Sequence, residues 1–283
     1  MADHPGIQPQ GRINRRGFGK LVRKQARKDG TVKSAHFPRF LGTMKVHAIQ
    51  TGSVRVKTAQ VEGRGHGLSR RFAIFTDKNW TRWLPTYAWV IEHPEGVIVV
   101  DTGQGAHLLE SGKSLHPYLR WEVAHDGGLA HFPDSEILVA AGELRTASGT
   151  LGRLRGYLPH RWPTWFDPKP LSLAAEAFGP FAASRQLTQA GDVVAVATPG
   201  HTADHISIVV QDGEINYLLA GDTSYNEELM LAGRLDGVSA DEQVTSATLD
   251  KIRRFTQSRP TVYLPTHDPG CADRLANRLT AGA

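Results

Sequence analysis

The sequence predicts an α+β protein, either a mixed β-sheet covered by helices or two such halves packed together. Three observations lead there. Apolar and polar residues alternate in short segments from Met44 onward, later strand-like runs are interleaved with helical ones, and four apolar runs end in Asp or His followed by turn residues.

Met44–Thr51 (MKVHAIQT) alternates, and Ser53–Lys57 (SVRVK) repeats the pattern after Gly52, so two successive strands are expected. Tyr87–Glu92 (YAWVIE) and Gly96–Asp101 (GVIVVD), joined by His93-Pro94-Glu95, read as an antiparallel pair. Further strands are expected over Glu136–Ala140, Val193–Ala197, Ile206–Val210, Asn216–Ala220 and Thr261–Leu264. The clearest helix is Asp241–Gln257. Ser239 and Glu242 have capping-box spacing, Val244, Thr248, Ile252 and Phe255 share a face, and Pro260 closes it.

At 283 residues, 40% hydrophobic and 22% charged, the chain is large enough for one big core or two small ones, which excludes disorder for most of its length. Runs such as Val97–Val100 and Val193–Ala197 are far short of the ~20 residues that cross a bilayer, so no membrane span is expected. The single cysteine, Cys271, excludes a disulfide scaffold and a Cys-rich zinc module. A bound metal must therefore be held by carboxylates and some of the 13 histidines.

The formal charge of +5 is unevenly placed. Residues 1–43 hold ten Lys and Arg against two acids, while the rest of the chain holds 23 against 26. This divides the chain into a basic, disordered extension over 1–43 and a folded domain over 44–283. Asn14–Leu21 (NRRGFGKL) resembles a twin-arginine export signal, but Val22–Lys28 (VRKQARK) follows where an apolar region is required. A cytoplasmic location is expected instead. Phe18 is the lone aromatic between Arg12 and Lys33, so no nucleic-acid partner is expected either.

The runs that end in polar anchors are VIVV-Asp101-Thr102-Gly103, VVAVATPG-His201, NYLLAG-Asp222 and VYLPT-His267. Loops that leave neighbouring strands lie side by side, so such residues can converge on one sheet edge. One such run is ordinary; the repetition with His, Asp and His is the informative part.

Thr198-Pro199-Gly200-His201-Thr202-Ala203-Asp204-His205, Gly221-Asp222-Thr223-Ser224-Tyr225 and Pro265-Thr266-His267-Asp268 resemble the third, fourth and fifth motifs of metallo-β-lactamase-fold hydrolases, and Asp101-Thr102-Gly103 resembles the first. N-acyl homoserine lactonases are the nearest branch, since they place a tyrosine three residues after the bridging aspartate, as Asp222 and Tyr225 do here. The resemblance runs from Met44 to the C-terminus and implies an αβ/βα four-layer sandwich with a metal site at the edge between its halves.

The second motif departs from the family. His125-Asp126-Gly127-Gly128 matches its end, but Arg120, Glu122 and Ala124 stand where the family's His-x-His-x-Asp-His carries its other ligands. The link from Asp101 to His125 is also short, so part of the first half is expected to be shortened. The resemblance then implies His125, His201, Asp222 and His267 as metal ligands, enough for one zinc ion rather than two, with Glu122 or His116 as replacements. It implies metal-assisted opening of a lactone ring, the quorum-quenching reaction. Asp222 ligates the metal and orients the nucleophile, and Tyr225 donates a hydrogen bond to the lactone oxygens. The substrate is expected to be a small-molecule lactone or ester. A catalytically inactive member of the fold, and a hydrolase of thioesters or phosphodiesters, stay open beside this reading.

His205 lies four residues after His201, but Pro199-Gly200 and the strand over Ile206–Val210 argue against a helix, so it is read as a supporting or core histidine. His116 and His131 are read as solvent-facing or structural. Trp80, Trp83, Tyr87 and Trp89 are read as core, with an acyl-chain pocket as the alternative, and Cys271 as a packed residue.

Overall fold

In the computed structural model, residues 44–102, 123–125, 132–149, 159, 162–239 and 241–282 are described, with backbone alone for 123–125. The amphipathic first segment becomes β1 (Lys45–Arg55), flanked by β2 (Leu84–His93) and β4 (Val123–His125), with β3 (Gly96–Val100) beyond β2. All neighbours in this sheet, ordered β3-β2-β1-β4, are antiparallel. The two strands expected on either side of Gly52 are one strand. β2 pairs across the whole length, and the extra residue is taken up as a register shift between Gln50 and Gly52.

Between β1 and β2 lie the short helices α1 (Thr58–Val61) and α2 (Gly67–Thr76), which have no counterpart in the sequence reading. The strand expected over Glu136–Ala140 is the shorter β5 (Leu138–Ala140), which leads into α3 (Ala141–Ser148) and pairs in parallel with β6 (Lys169–Leu171).

The second sheet has the order β11-β10-β9-β8-β7. Its strands are β7 (Ser184–Gln186), β8 (Val193–Ala197), β9 (Ile206–Asp212), β10 (Ile215–Gly221) and β11 (Thr261–Pro265). All pairs are antiparallel except β10 with β11, whose parallel pairing requires the crossover through α4 (Glu227–Ala232) and α5 (Glu242–Ser258). The chain ends on α6 (Cys271–Asn277).

The period of two along each strand sorts its side chains into two cores. Val193, Ala195, Ile208, Val210, Tyr217, Leu219, Val262 and Leu264 face Tyr87, Trp89 and Ile91 of β2. Their neighbours Val194, Val196, Val209, Leu218, Ala220 and Tyr263 point the other way, onto Leu249, Ile252 and Phe255 of α5. Tyr87 and Trp89 thus occupy the core as expected, whereas Trp83 is 46% exposed. Trp80 lies beneath the Lys57 ammonium, 4.1 Å from its ring centroid. Cys271 is fully buried, its thiol donating to the Pro265 carbonyl.

Two details of α5 differ from the sequence reading. Its cap is Asp241, whose carboxylate accepts from the backbone N–H groups of Gln243 and Val244, while Ser239 turns away to donate to Asp236. Val244 is 38% exposed, and Thr245 takes the inward place because Thr245 and Thr248 face the turn after β8, where Thr248 donates to the Pro199 carbonyl.

The extension over 1–43, the shortened stretch of the first half and the expectations placed on His116, Arg120, Glu122 and His131 lie outside the described residues. Among the described residues no helix is long and apolar enough to cross a membrane.

Asp77 fixes α1 by accepting from the Thr58 hydroxyl and the Ala59 N–H, both at 2.7 Å. Burial opposes its ionisation, but these bonds, the Asn79 N–H and nearby Arg64 outweigh it and lower the carboxyl to about 2 from an ordinary 3.8. The folded value lies below the unfolded one. The stabilisation is therefore complete above the unfolded pKa and is lost as pH falls through the folded value. Urea midpoints measured from about pH 5 down to about pH 2 are expected to fall more steeply in the wild type than in Asp77→Asn. Phe255 is fully buried against Phe178 and Phe181, and Phe255→Ala is expected to cost about 3–5 kcal/mol in the same assay.

Candidate functional site

The C-terminal ends of β8, β10 and β11 release His201, Asp222 and His267 onto one edge of the second sheet. β10 stops at Gly221, whose φ of 58° turns the chain into a conformation that side chains disfavour. A Cβ there would stand 2.7 Å from Nε2 of His205, so glycine also makes room for that ring.

His205 uses both ring nitrogens. Nε2 accepts from the Asp222 backbone N–H at 3.2 Å, so Nδ1 carries the proton and donates to Thr198, with Oγ1 at 2.9 Å and the carbonyl at 3.2 Å. Burial drives its pKa down to about 4; the nearby His201 adds to this and Asp222 opposes it. From this buried position it holds the main chain of Asp222 in place.

The Asp222 carboxylate lies between two imidazoles. Oδ2 is 3.7 Å from Nε2 of His201, and Oδ1 is 3.5 Å from Nε2 of His267. Burial pushes its pKa up, but His267, His201 and His205 outweigh this and hold it below the usual carboxylate range. Oδ1 is buried and accepts no hydrogen bond among the described residues.

His267 explains why. Its Nδ1 is 2.9 Å from the carbonyl of Pro85 on β2, and a carbonyl only accepts, so Nδ1 donates. In the neutral ring the Nε2 lone pair then faces the carboxylate lone pairs. A buried carboxylate oxygen opposed by a ring lone pair suits a cation between them, and imidazole with carboxylate is a donor set that zinc accepts. Among the described residues no group of three His, Cys, Asp or Glu closes into a complete metal cluster.

Tyr225 completes this part of the site. Its ring is stacked on His267 with centroids 5.8 Å apart and planes 26° apart, and its hydroxyl accepts from Nε2 of Gln60 at 3.0 Å. Asp101, at the end of β3, adopts a φ of 63° and accepts from the Thr102 N–H and, at 3.5 Å, from the Thr266 hydroxyl. It braces the turn that carries His267.

The fourth expected residue, His125, is placed by its backbone. Pro85, Ser53 and His125 lie in one row across β2, β1 and β4, which sets His125 about 10 Å from Pro85, two strand spacings away. The structure thus gathers His201, Asp222, His267 and Tyr225, and locates the main chain of His125 on the neighbouring sheet. Sequence reasoning missed Gln60 and the Pro85 carbonyl. Neither has a sequence signal: one sits on a four-residue helix, the other is a backbone atom.

The family model of the metallo-beta-lactamase superfamily matches residues 125–267, half of the chain, beginning and ending on two of these histidines. The chain belongs to this superfamily. A protein of Mycobacterium tuberculosis named as a probable metallo-hydrolase is 32% identical over 224 residues, spanning 64% of this chain and 70% of its own length. A protein of Mycobacterium bovis with the same description matches to the same extent. Among solved structures, an N-acyl homoserine lactone hydrolase with the product N-hexanoyl-L-homoserine at its catalytic metal centre is 16% identical. Its TM-score is 0.62, with 81% of this chain and 95% of that one covered. A probable metal-dependent hydrolase from Staphylococcus aureus is 13% identical with a TM-score of 0.59, covering 80% and 90%. At these identities the likeness is one of fold, and it bears out the metallo-β-lactamase architecture expected from the motifs.

Because Gly221 both adopts a left-handed turn and admits His205, Gly221→Ala is expected to cost at least about 1–2 kcal/mol from the backbone alone. Denaturant unfolding checks this, and a crystal structure is expected to show the His205 ring displaced from the Asp222 N–H.

Proposed function

We propose that this protein is a metal-dependent hydrolase that opens the ring of a lactone, of the N-acyl homoserine lactone kind, with His125, His201, Asp222 and His267 holding one zinc ion. The observation that carries this reading is the Asp222 carboxylate, flanked by His201 and His267, with a buried oxygen that accepts no hydrogen bond among the described residues. The superfamily match and the lactone hydrolase among the structural neighbours support it.

A bound zinc ion supplies Lewis acidity and hydroxide at neutral pH. The protein's own groups supply the rest. Pro85 fixes the His267 tautomer that presents Nε2, and His205 fixes the main chain of Asp222. Tyr225 presents a phenol beside His267, where its proton can be donated to the ester oxygen that gains charge as the carbonyl carbon becomes tetrahedral. The same phenol then faces the alkoxide that leaves as the ring opens.

The test measures zinc content of the purified protein together with hydrolysis of a lactone, a thioester and a phosphodiester. Zinc bound at about one per chain and a preference for the lactone are expected. Tyr225→Phe is expected to lower kcat about 100-fold with zinc retained, and Asp222→Asn to lose zinc and activity together. Protein that binds no zinc and opens none of the three esters overturns the proposal. Preference for the thioester or phosphodiester keeps the hydrolase and removes the lactone.

A further inference from the structure

Gln60 is 6% exposed, and its side-chain amide donates to the hydroxyl of Tyr225, 165 residues away in sequence. The helix that carries it is fixed on two sides. Asp77 holds its first turn, and the loop between α4 and α5 holds its main chain, Gly237 N–H donating to the Gln60 carbonyl and Gly63 N–H to the Leu235 carbonyl, each at 2.8 Å. Gly237 is needed for this approach, since a Cβ would stand 2.1 Å from the Ala59 carbonyl oxygen. The Tyr225 ring packs between His267 and the cluster of Val54, Val56 and Leu84. Ring and hydroxyl are therefore held by separate contacts, the ring by His267 and this cluster and the hydroxyl by Gln60.

We infer that Gln60 is a positioning residue that aims the Tyr225 hydroxyl at the ester, an inference that rests on the lactone-opening reading of the site. The direction of the bond is what matters. The amide donates, so it occupies a lone pair of the phenol oxygen and does not itself take the phenol's proton. Donation into that oxygen also polarises the O–H bond and makes it the better donor. A glutamate in the same place reverses the polarity, because a carboxylate accepts the phenol proton and draws it away from the substrate. The helix that carries Gln60 lies between β1 and β2, so the first half of the fold contributes to the reaction through this amide.

The test uses the full-length zinc-loaded protein, with Gln60→Met, Gln60→Glu, Tyr225→Phe and Gln60→Met in the Tyr225→Phe background. Gln60→Met is expected to lower kcat for a lactone about three- to tenfold with KM and zinc content nearly unchanged, the effect of one hydrogen bond. Gln60→Glu is expected to do at least as much. In the Tyr225→Phe background the Gln60→Met effect is expected to vanish, which a general loss of packing does not produce. A second readout needs no turnover. With ring-labelled tyrosine, the nuclear magnetic resonance signal missing from Tyr225→Phe is expected to move in Gln60→Met and Gln60→Glu while the other tyrosine signals stay. If Gln60→Met fails to fold, the nearly isosteric Gln60→Glu carries both readouts. An unmoved Tyr225 signal, or a Gln60→Met effect that persists without the Tyr225 hydroxyl, overturns the inference. Wild-type protein that opens no lactone refutes the reading of the reaction, and the tyrosine signal still decides whether Gln60 orients Tyr225.

Discussion

The arrangement of this site depends on two hydrogen bonds that join the sheets at their common edge. The Tyr87 N–H of β2 donates to the Thr266 carbonyl just past β11, and Nδ1 of His267 donates to the carbonyl of Pro85, two residues before Tyr87. Both form only if the start of β2 lies against the end of β11. The core between the sheets supplies that placement, since Tyr87, Trp89 and Ile91 pack on the inner residues of β8 to β11. Apolar burial brings the sheets together without direction. The two bonds then fix the register and, with it, the tautomer of His267. Pro85 suits the task, because it has no N–H to satisfy and its carbonyl is left to face the histidine.

The Asp222 side is built on the same economy of short range. Parallel pairing of β10 with β11 brings Gly221 beside Pro265, and Thr266 N–H donates to the Gly221 carbonyl at 3.0 Å. The turns that carry Asp222 and His267 are thereby tied together. The buried Oδ1 atom of the Asp222 carboxylate receives no hydrogen bond among the described residues. Such an atom is costly unless something positively charged meets it. A cation beside Oδ1, as the proposed metal would supply, meets that cost.

Much of this was legible in the sequence, and the parts that were not have a common cause. The strands over Val193–Ala197, Ile206–Val210, Asn216–Ala220 and Thr261–Leu264 are buried apolar runs bounded by turns, and they appear within a residue or two of where the pattern puts them. His201, Asp222 and His267 are legible for the same reason, since each follows such a run within one to three turn residues. What was misread is what a distant partner decides. Gly52 looks like a break but is absorbed as a bulge because β2 pairs across it. Ser239 has the spacing of a cap, but Asp236 claims its hydroxyl and Asp241 caps α5 instead. Gln60 carries no local signal at all; only the tertiary fold sets its amide on Tyr225.

The proposed site is unequally supported by its two halves. His201, Asp222 and His267 follow strands of five to seven residues in the five-stranded second sheet, whereas His125 belongs to β4, which among the described residues pairs Val123, Ala124 and His125 with β1. Among the described residues, three residue pairs with β1 are what holds this strand. The departure of Arg120, Glu122 and Ala124 from the family's second motif falls just before and within this strand. A metal that engages His125 therefore returns part of its binding energy to β4, since whatever binds the paired arrangement stabilises it. In the proposed enzyme, metal affinity and the docking of β4 are accordingly one linked equilibrium, while the His201, Asp222 and His267 side is set by the strand pairing of the second sheet and its seam to β2.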